Sequence, residues 1–196
     1  IVNALHTCLV FGMFAALAAF YRRTILIAEN RLLKQATLDG LTGLNNRAHF
    51  HTLAGHTLTR IQRTGEPVAL VLCDIDHFKQ VNDRHGHAMG DRVLVAVAGV
   101  LARKLRESDV IARWGGEEFL ALMPASSLES ALEVAERIRV AVEQVEISDQ
   151  GTPVPLTMSF GVTRVAGSDD LQAAIVRADK ALYQSKNSGR NRATAG

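Results

Sequence analysis

The chain is poor in cysteine, proline, aromatic residues and net charge. Cys8 and Cys73 are its two cysteines in 196 residues. They form no Cys-x-x-C pair and have no metal-ligand spacing, which argues against a disulfide framework or a cysteine-based zinc site. Both read as buried thiols in a reducing compartment. Four prolines and fifteen glycines exclude collagen-like or low-complexity sequence. A net charge of +2 leaves no electrostatic footprint for nucleic acid, so no nucleic-acid partner is expected. What is present is globular: 47% hydrophobic and 21% charged residues exclude a disordered chain. The length suits one ordinary domain plus a short extension.

Charge is unevenly placed. Residues 1–38 carry Arg22, Arg23, Arg31 and Lys34 against Glu29, and the rest of the chain carries 18 basic and 19 acidic groups. The basic excess therefore sits beside an apolar segment. Residues 1–21 contain no Asp, Glu, Lys or Arg, and about 20 apolar residues suffice to cross a bilayer as a helix. Tyr21, Arg22 and Arg23 follow at once, an interface aromatic and then two positive charges. A transmembrane helix over residues 1–23 is expected, with its basic end and all that follows in the cytoplasm at the inner membrane. A signal peptide would carry its basic residues before the apolar run, not after it. The chain does not begin with methionine, which fits the last span of a truncated membrane sensor. Residues 24–38 continue as a helical linker. Ile25 and Leu32, like Leu26 and Leu33, are seven apart, the spacing of a plain connector or of a short dimerising one.

Residues 39–196 read as an α+β domain. VALVLCDID, after Glu66-Pro67, is a buried strand. Residues 90–106 place Val93, Val97, Val100, Leu101 and Leu105 on one helical stripe. DVIARW and EEFLALM flank Gly115-Gly116 and read as a hairpin whose glycines supply positive φ. Residues 127–145 form a helix capped by Ser127 or Ser130, residues 155–165 a fourth strand, and residues 170–186 a last helix. An extra helix lies near 47–63. The order β-α-β-β-α-β is that of a ferredoxin-like, palm-like core with helices on one face of an antiparallel sheet.

Two acidic clusters carry chemistry. Asp74 and Asp76 end the apolar strand and, two apart, share a face. Glu117 and Glu118 follow the Gly-Gly turn. In this topology the first and third strands are central neighbours, which brings Asp74 to the hairpin. Carboxylates converging at a sheet end, with a backbone carbonyl between them, are hard ligands suited to Mg²⁺ completed by substrate phosphates. Lys79, Lys186 and Arg190 offer charge for phosphate, and Arg113 flanks the hairpin. Asn82 and Asp91 offer an amide and a carboxylate that can read a guanine edge. His49, His51 and His56 read as surface histidines rather than a zinc site, since His51 and His56 are five apart. Cys73 is no nucleophile, because neighbouring Asp74 opposes its ionisation.

The string Arg113-Trp114-Gly115-Gly116-Glu117-Glu118-Phe119 resembles the GGDEF/GGEEF signature of diguanylate cyclases. Asp39-Gly40-Leu41-Thr42-Gly43-Leu44-Asn45-Asn46-Arg47 resembles that family's entry motif. Asp74 to Asp83, Gly86 to Asp91, and Ala178 to Lys186 with Gly189-Arg190-Asn191 match three further blocks, in order, over about residues 39–192. The resemblance implies an enzyme that condenses two GTP into cyclic di-GMP and two pyrophosphates, with one GTP on each domain of a homodimer. It implies Mg²⁺, with Mn²⁺ as a substitute, on Asp74, the Ile75 carbonyl and Glu117. Glu117 or Glu118 would deprotonate the 3′-hydroxyl, with Glu117 favoured. Asn82 and Asp91 would recognise guanine beside Phe78 and His87, Lys79, Lys186 and Arg190 would hold the triphosphate, and Arg113, beside the hairpin, would be a further substrate-binding residue. Arg106-Glu107-Ser108-Asp109 fits the family's R-x-x-D motif for inhibition by cyclic di-GMP, with Arg137 assisting. The competing reading is a non-catalytic module that senses GTP or cyclic di-GMP. The intact signature residues favour catalysis.

Overall fold

The computed structural model describes residues 3, 13–14, 17–26, 36–166 and 171–196. Contacts divide the chain into two units, Ile1–Thr37 and Leu38–Gly196. In the first, residues 17–26 are helical. Much of the expected membrane span, much of the linker, and Cys8 lie outside the described residues. Among the described residues no helix is long and apolar enough to cross a membrane.

In the second unit the elements run α1 (Arg47–Thr64), β1 (Val68–Ile75), α2 (Phe78–His85), α3 (His87–Lys104), β2 (Val110–Arg113), β3 (Glu118–Pro124), α4 (Leu128–Glu143), β4 (Ser148–Asp149), β5 (Thr152–Pro153), β6 (Met158–Val165), α5 (Leu171–Asn187) and β7 (Ala193–Ala195). The main sheet has the order β2-β3-β1-β6-β7. β1 pairs antiparallel with both β3 and β6, so the ferredoxin-like core stands with β1 at its centre. Two additions were not foreseen. β7 extends the sheet parallel to β6, and β4 and β5 form a separate two-stranded hairpin.

The two helices of the ferredoxin-like core share one face, as expected, but the sheet is covered on its other face as well. Ala69, Val71, Cys73 and Ile75 face one core with residues of α3 and α4. Val68, Leu70 and Leu72 face a second core with Phe50 and Ala54 of α1 and Ala174, Ile175, Ala178 and Leu182 of α5. A strand apolar at every position must be covered on both sides, and β1 is buried along its whole length. The two central core helices share one face, and the added helix α1 and the last helix α5 cover the other. The helix expected over 90–106 is a single element, displaced toward its N-terminus to start at His87, and a short helix not expected from the sequence, α2, stands before it. Gly86 separates the two with φ 80° and ψ 163°, backbone that in practice only glycine adopts, while its N–H closes α2 on the Asn82 carbonyl.

Candidate active site

Alternation along β1 turns Asp74 to the α5 face, the side of Leu70 and Leu72. Its Cα partner on β3 is Glu118, and on β6 it is Ser159. Lys186, in the last turn of α5, places its Nζ 2.9 Å from Asp74 Oδ2. The Ile75 N–H donates to the Glu117 carbonyl, which ties the Gly-Gly turn to the end of the central strand. Asp74, Glu117, Glu118 and Lys186 therefore form one cluster at a sheet end.

Its electrostatics are those of crowded acids. Burial pushes the Asp74 carboxyl above the usual carboxylate range, although Lys186 pulls against it. Burial, then the charge of Asp74, raises both Glu117 and Glu118, again opposed by Lys186. All three carboxylates are thus held at a cost in their ionised forms, and one lysine does not neutralise them. An oxygen-only donor set with surplus negative charge fits a hard divalent cation. Among the described residues no three His, Cys, Asp or Glu side chains form a ready metal cage. A cation bound through one or two carboxylates and completed by substrate phosphates requires none.

Asp76 does a different job from Asp74. It is buried and accepts hydrogen bonds from Thr157 Oγ1 (2.8 Å), Ser159 Oγ (2.7 Å) and the Asn191 N–H (3.0 Å). Cys73 is buried with its Sγ 3.5 Å from the Phe119 carbonyl. Burial, reinforced by Asp74, pushes its thiol far up, as the sequence suggested.

The Gly-Gly turn corrects an expectation. Neither Gly115 nor Gly116 has positive φ, and four residues rather than two separate the strands. What Gly115 supplies is space, since a Cβ there would sit 2.6 Å from Glu118 Oε2. Gly115→Ala should push the Glu118 carboxylate aside and lower turnover roughly tenfold, while thermal stability changes by less than about 1 kcal/mol. Parallel turnover and melting measurements check this.

Arg113 is built into the scaffold. It donates to the Gly116 carbonyl through Nη2 (2.7 Å) and Nε (3.2 Å), and its Nη1 lies 3.2 Å from Asp39 Oδ1. Asp39 also accepts from the N–H and hydroxyl of Thr42 (2.8 and 2.6 Å). The entry motif is thus a turn that clamps the hairpin, and Asn45 extends the clamp by donating to the Ile111 carbonyl. The Asp39–Arg113 pair leaves no local signal in the sequence, because its partners lie 74 positions apart. Burial raises the Asp39 carboxyl, but the Thr42 bonds and the Arg113 charge outweigh it, so the net shift is downward. A lowered carboxyl stabilises the fold above its unfolded value near 4, and that stability is lost as pH falls through the folded value. Asp39→Asn should cost about 1–2 kcal/mol at pH 7, and the gap from the parent should close toward pH 3 in denaturant titrations.

The remaining expected residues are more scattered. Phe78 is buried in α2, and the Asn82 amide lies against Gly90 of α3. Asp91 lines a shallow surface groove with Leu41, Val95 and Ile147. Lys79 and His87 are exposed in the first turns of α2 and α3. Arg190 follows α5 in left-handed backbone, its N–H bonded to the Ser185 carbonyl. An open groove of about 460 Å³ adjoins the acidic cluster, lined by Glu118, Asp179, Tyr183 and Lys186 among others. In the R-x-x-D motif, Asp109 Oδ2 accepts from the Arg106 N–H at 2.8 Å and closes the turn after α3. Its Oδ1 is buried with no partner, and burial raises its carboxyl. The Arg106 side chain is exposed, as is Arg137 on α4. Of the three histidines on α1, His51 packs on Trp114 at 5.2 Å between ring centroids, and Arg47 lies over the same indole at 4.2 Å.

Comparison with known proteins places this geometry. The family described as diguanylate cyclase, GGDEF domain, matches residues 36–192. Diguanylate cyclase DgcP of Pseudomonas aeruginosa is 43% identical over 159 residues, covering 81% of this chain and 24% of that protein. Diguanylate cyclase A of Treponema denticola is 42% identical over 176 residues, covering 87% of this chain and 47% of that one. The chain thus spans from about a quarter to about half the length of these curated relatives. The crystal structure of the coiled coil and GGDEF domain of DgcB from Caulobacter crescentus, in complex with c-di-GMP, superposes with a TM-score of 0.84 at 33% identity, covering 94% of this chain and 99% of that one.

Proposed function

Since this chain belongs to the GGDEF-domain diguanylate cyclase family, we propose that it condenses two GTP into cyclic di-GMP and two pyrophosphates, working as a homodimer with one GTP on each domain. The observation that carries this reading is the cluster at the end of β1: Asp74, Glu117 and Glu118, all with raised carboxyls, beside Lys186.

Enzymes of this family depend on a divalent metal. Asp74, the Ile75 carbonyl and Glu117 would hold the ion, which would be Mg²⁺ or, in its place, Mn²⁺. When bound, it neutralises charge on the triphosphate. Lys79, Lys186 and Arg190 hold phosphate oxygens. Asn82 and Asp91 read the guanine edge, Phe78 and His87 shape its pocket, and Arg113 acts through the turn it braces. Glu117, or its neighbour Glu118, accepts the proton of the ribose 3′-hydroxyl. The 3′-oxygen then attacks the α-phosphorus of the GTP on the other domain, an O–P bond forms, and pyrophosphate leaves. The same exchange in the other direction closes the ring. No covalent intermediate on the protein is needed, so positioning and charge neutralisation supply the rate.

Incubating a demonstrably dimeric sample with GTP and Mg²⁺, followed by chromatography, tests the reading. Cyclic di-GMP is the expected product. Its absence would point instead to a module that binds the nucleotide without reaction.

Product inhibition is proposed at Arg106, Asp109 and Arg137. An exposed guanidinium suits the guanine or phosphate of cyclic di-GMP, and Asp109, which accepts from the Arg106 N–H, holds the turn that presents it. Arg106→Ala should retain turnover and lose most inhibition by added cyclic di-GMP. Equal inhibition of variant and parent would remove the claim. The apolar run of residues 1–23, ending in Arg22-Arg23, supports a span of the inner membrane with the cyclase domain in the cytoplasm.

A further inference from the structure

Asp76 is one residue beyond β1 and buried, with its carboxylate turned to the start of β6 and the segment after α5. Its two carboxylate oxygens accept three hydrogen bonds from two places. Thr157 and Ser159 belong to the start of β6 and the residue before it. The Asn191 N–H comes from the segment after α5. That segment is unusual in its backbone, because Gly189, Arg190 and Asn191 all have positive φ (108°, 63° and 46°). Two consecutive non-glycine residues in left-handed conformation are strained and persist only where their surroundings hold them.

The side chain of Asn191 is held as well. Its Oδ1 accepts from Arg139 Nη1 at 3.0 Å, and its Nδ2 donates to Glu143 Oε1 at 3.3 Å. Arg139 is itself gripped by Glu136 (2.7 Å) and Glu143 (3.0 Å) on α4. Asn191 is therefore clasped from two sides, by its backbone to Asp76 and by its side chain to α4. Arg190 lies immediately before this anchor and close enough to Asp74 to act on its carboxyl.

We propose that Asp76, with the Arg139–Asn191 contact as its second arm, is a positioning residue that fixes the strained turn after α5 and so aims Arg190 at the nucleotide phosphates. The inference rests on the reading of Arg190 as a phosphate ligand given above. A charged carboxylate taking three donors is a strong and directional anchor. Outer partners of this kind typically carry about ten- to a hundredfold of a site's function.

The test uses the full chain, a GTP analogue that cannot cyclise, and GMP. Asp76→Asn removes one acceptor and keeps the shape. Arg139→Gln loosens the second arm from outside the core, should Asp76→Asn fold poorly. Each is expected to speed amide exchange over residues 189–192 and to weaken the triphosphate analogue roughly tenfold, with GMP changed by less than about twofold. Combining Asp76→Asn with Arg190→Ala should weaken the analogue no further than Arg190→Ala alone, because both act on one contact. Unchanged exchange at 189–192, equal loss for analogue and GMP, or additive losses would overturn the proposal. If Arg190→Ala itself spares the triphosphate preference while exchange in Asp76→Asn still rises, the clasp exists but the phosphate role of Arg190 is wrong, and the positioning role falls with it.

Discussion

Asp74→Asn is expected to cut cyclic di-GMP formation by about a hundredfold or more while leaving the protein folded. Asp74 is central to the cluster: it lies opposite Glu118, is ion-paired to Lys186, and helps raise both neighbouring glutamates. The asparagine keeps the shape and the buried packing but removes a hard anionic ligand. Loss of one group that stabilises charge in a transition state typically costs about 10²–10³ in rate. Lys186 loses its partner but remains half-exposed, so water can solvate its ammonium and the fold survives. Glu117→Gln should be comparably inactive.

The two variants should also differ from the parent in their response to metal. Carboxyls raised in the folded state favour the protonated form, so their charges work against folding at neutral pH, and this opposition is relieved as pH falls through the folded values. Removing Glu117's charge should therefore leave the melting temperature level or raise it. Added Mg²⁺ should stabilise the parent by binding only the native state, and that increment should shrink in both variants. Full activity in Asp74→Asn, or an unchanged Mg²⁺ increment, would contradict the assigned site.

Gly161→Ala is expected to be the most damaging small substitution in the sheet. Gly161 sits in β6 between Leu72 of β1 and Thr194 of β7. A Cβ there would run into the Ala178 carbonyl oxygen and the Leu182 amide nitrogen of α5. Both obstacles are backbone atoms of a helix packed on the sheet, so no side chain can rotate away and the helix itself must lift. Overpacking of this kind costs about 3 kcal/mol, or roughly 6–12 °C in melting temperature for a domain this size. Gly161→Val should fail to give soluble protein. Gly55→Ala is the contrasting control. It lies exposed within α1 with nothing near its added Cβ and should stabilise by about 0.5–1 kcal/mol. Equal melting temperatures for the two alanine variants would mean that α5 does not approach β6 as described.

Lys186 lies beside both sites of this discussion. It belongs to the helix that Gly161 admits to the sheet, and it reaches Asp74 from there. Loss of the close helix–sheet contact should thus harm activity before it unfolds the protein, a gradient that partial suppressors of Gly161→Ala would expose.

The sequence by itself determined the elements and their chemistry. The unbroken apolar run of β1, the stripe on α3 and the Ser127 cap are local signals, read from spacing and side-chain type, and they recur as built. The acids at 74, 117 and 118 could be brought together from topology alone, because a ferredoxin-like order makes the first and third strands neighbours. Tertiary structure decided what depends on distance through space. It set helices on both faces of the sheet, gave Gly115 a steric rather than a conformational role, spent Arg113 on Asp39 and the Gly116 carbonyl, and turned the Asp76 carboxylate to the start of β6 and the segment after α5. None of these leaves a periodic trace in the chain, since hydrogen-bond partners 74 or 115 positions apart are chosen by how the sheet and helices pack, and packing is a property of the assembled surfaces rather than of any local run of residues.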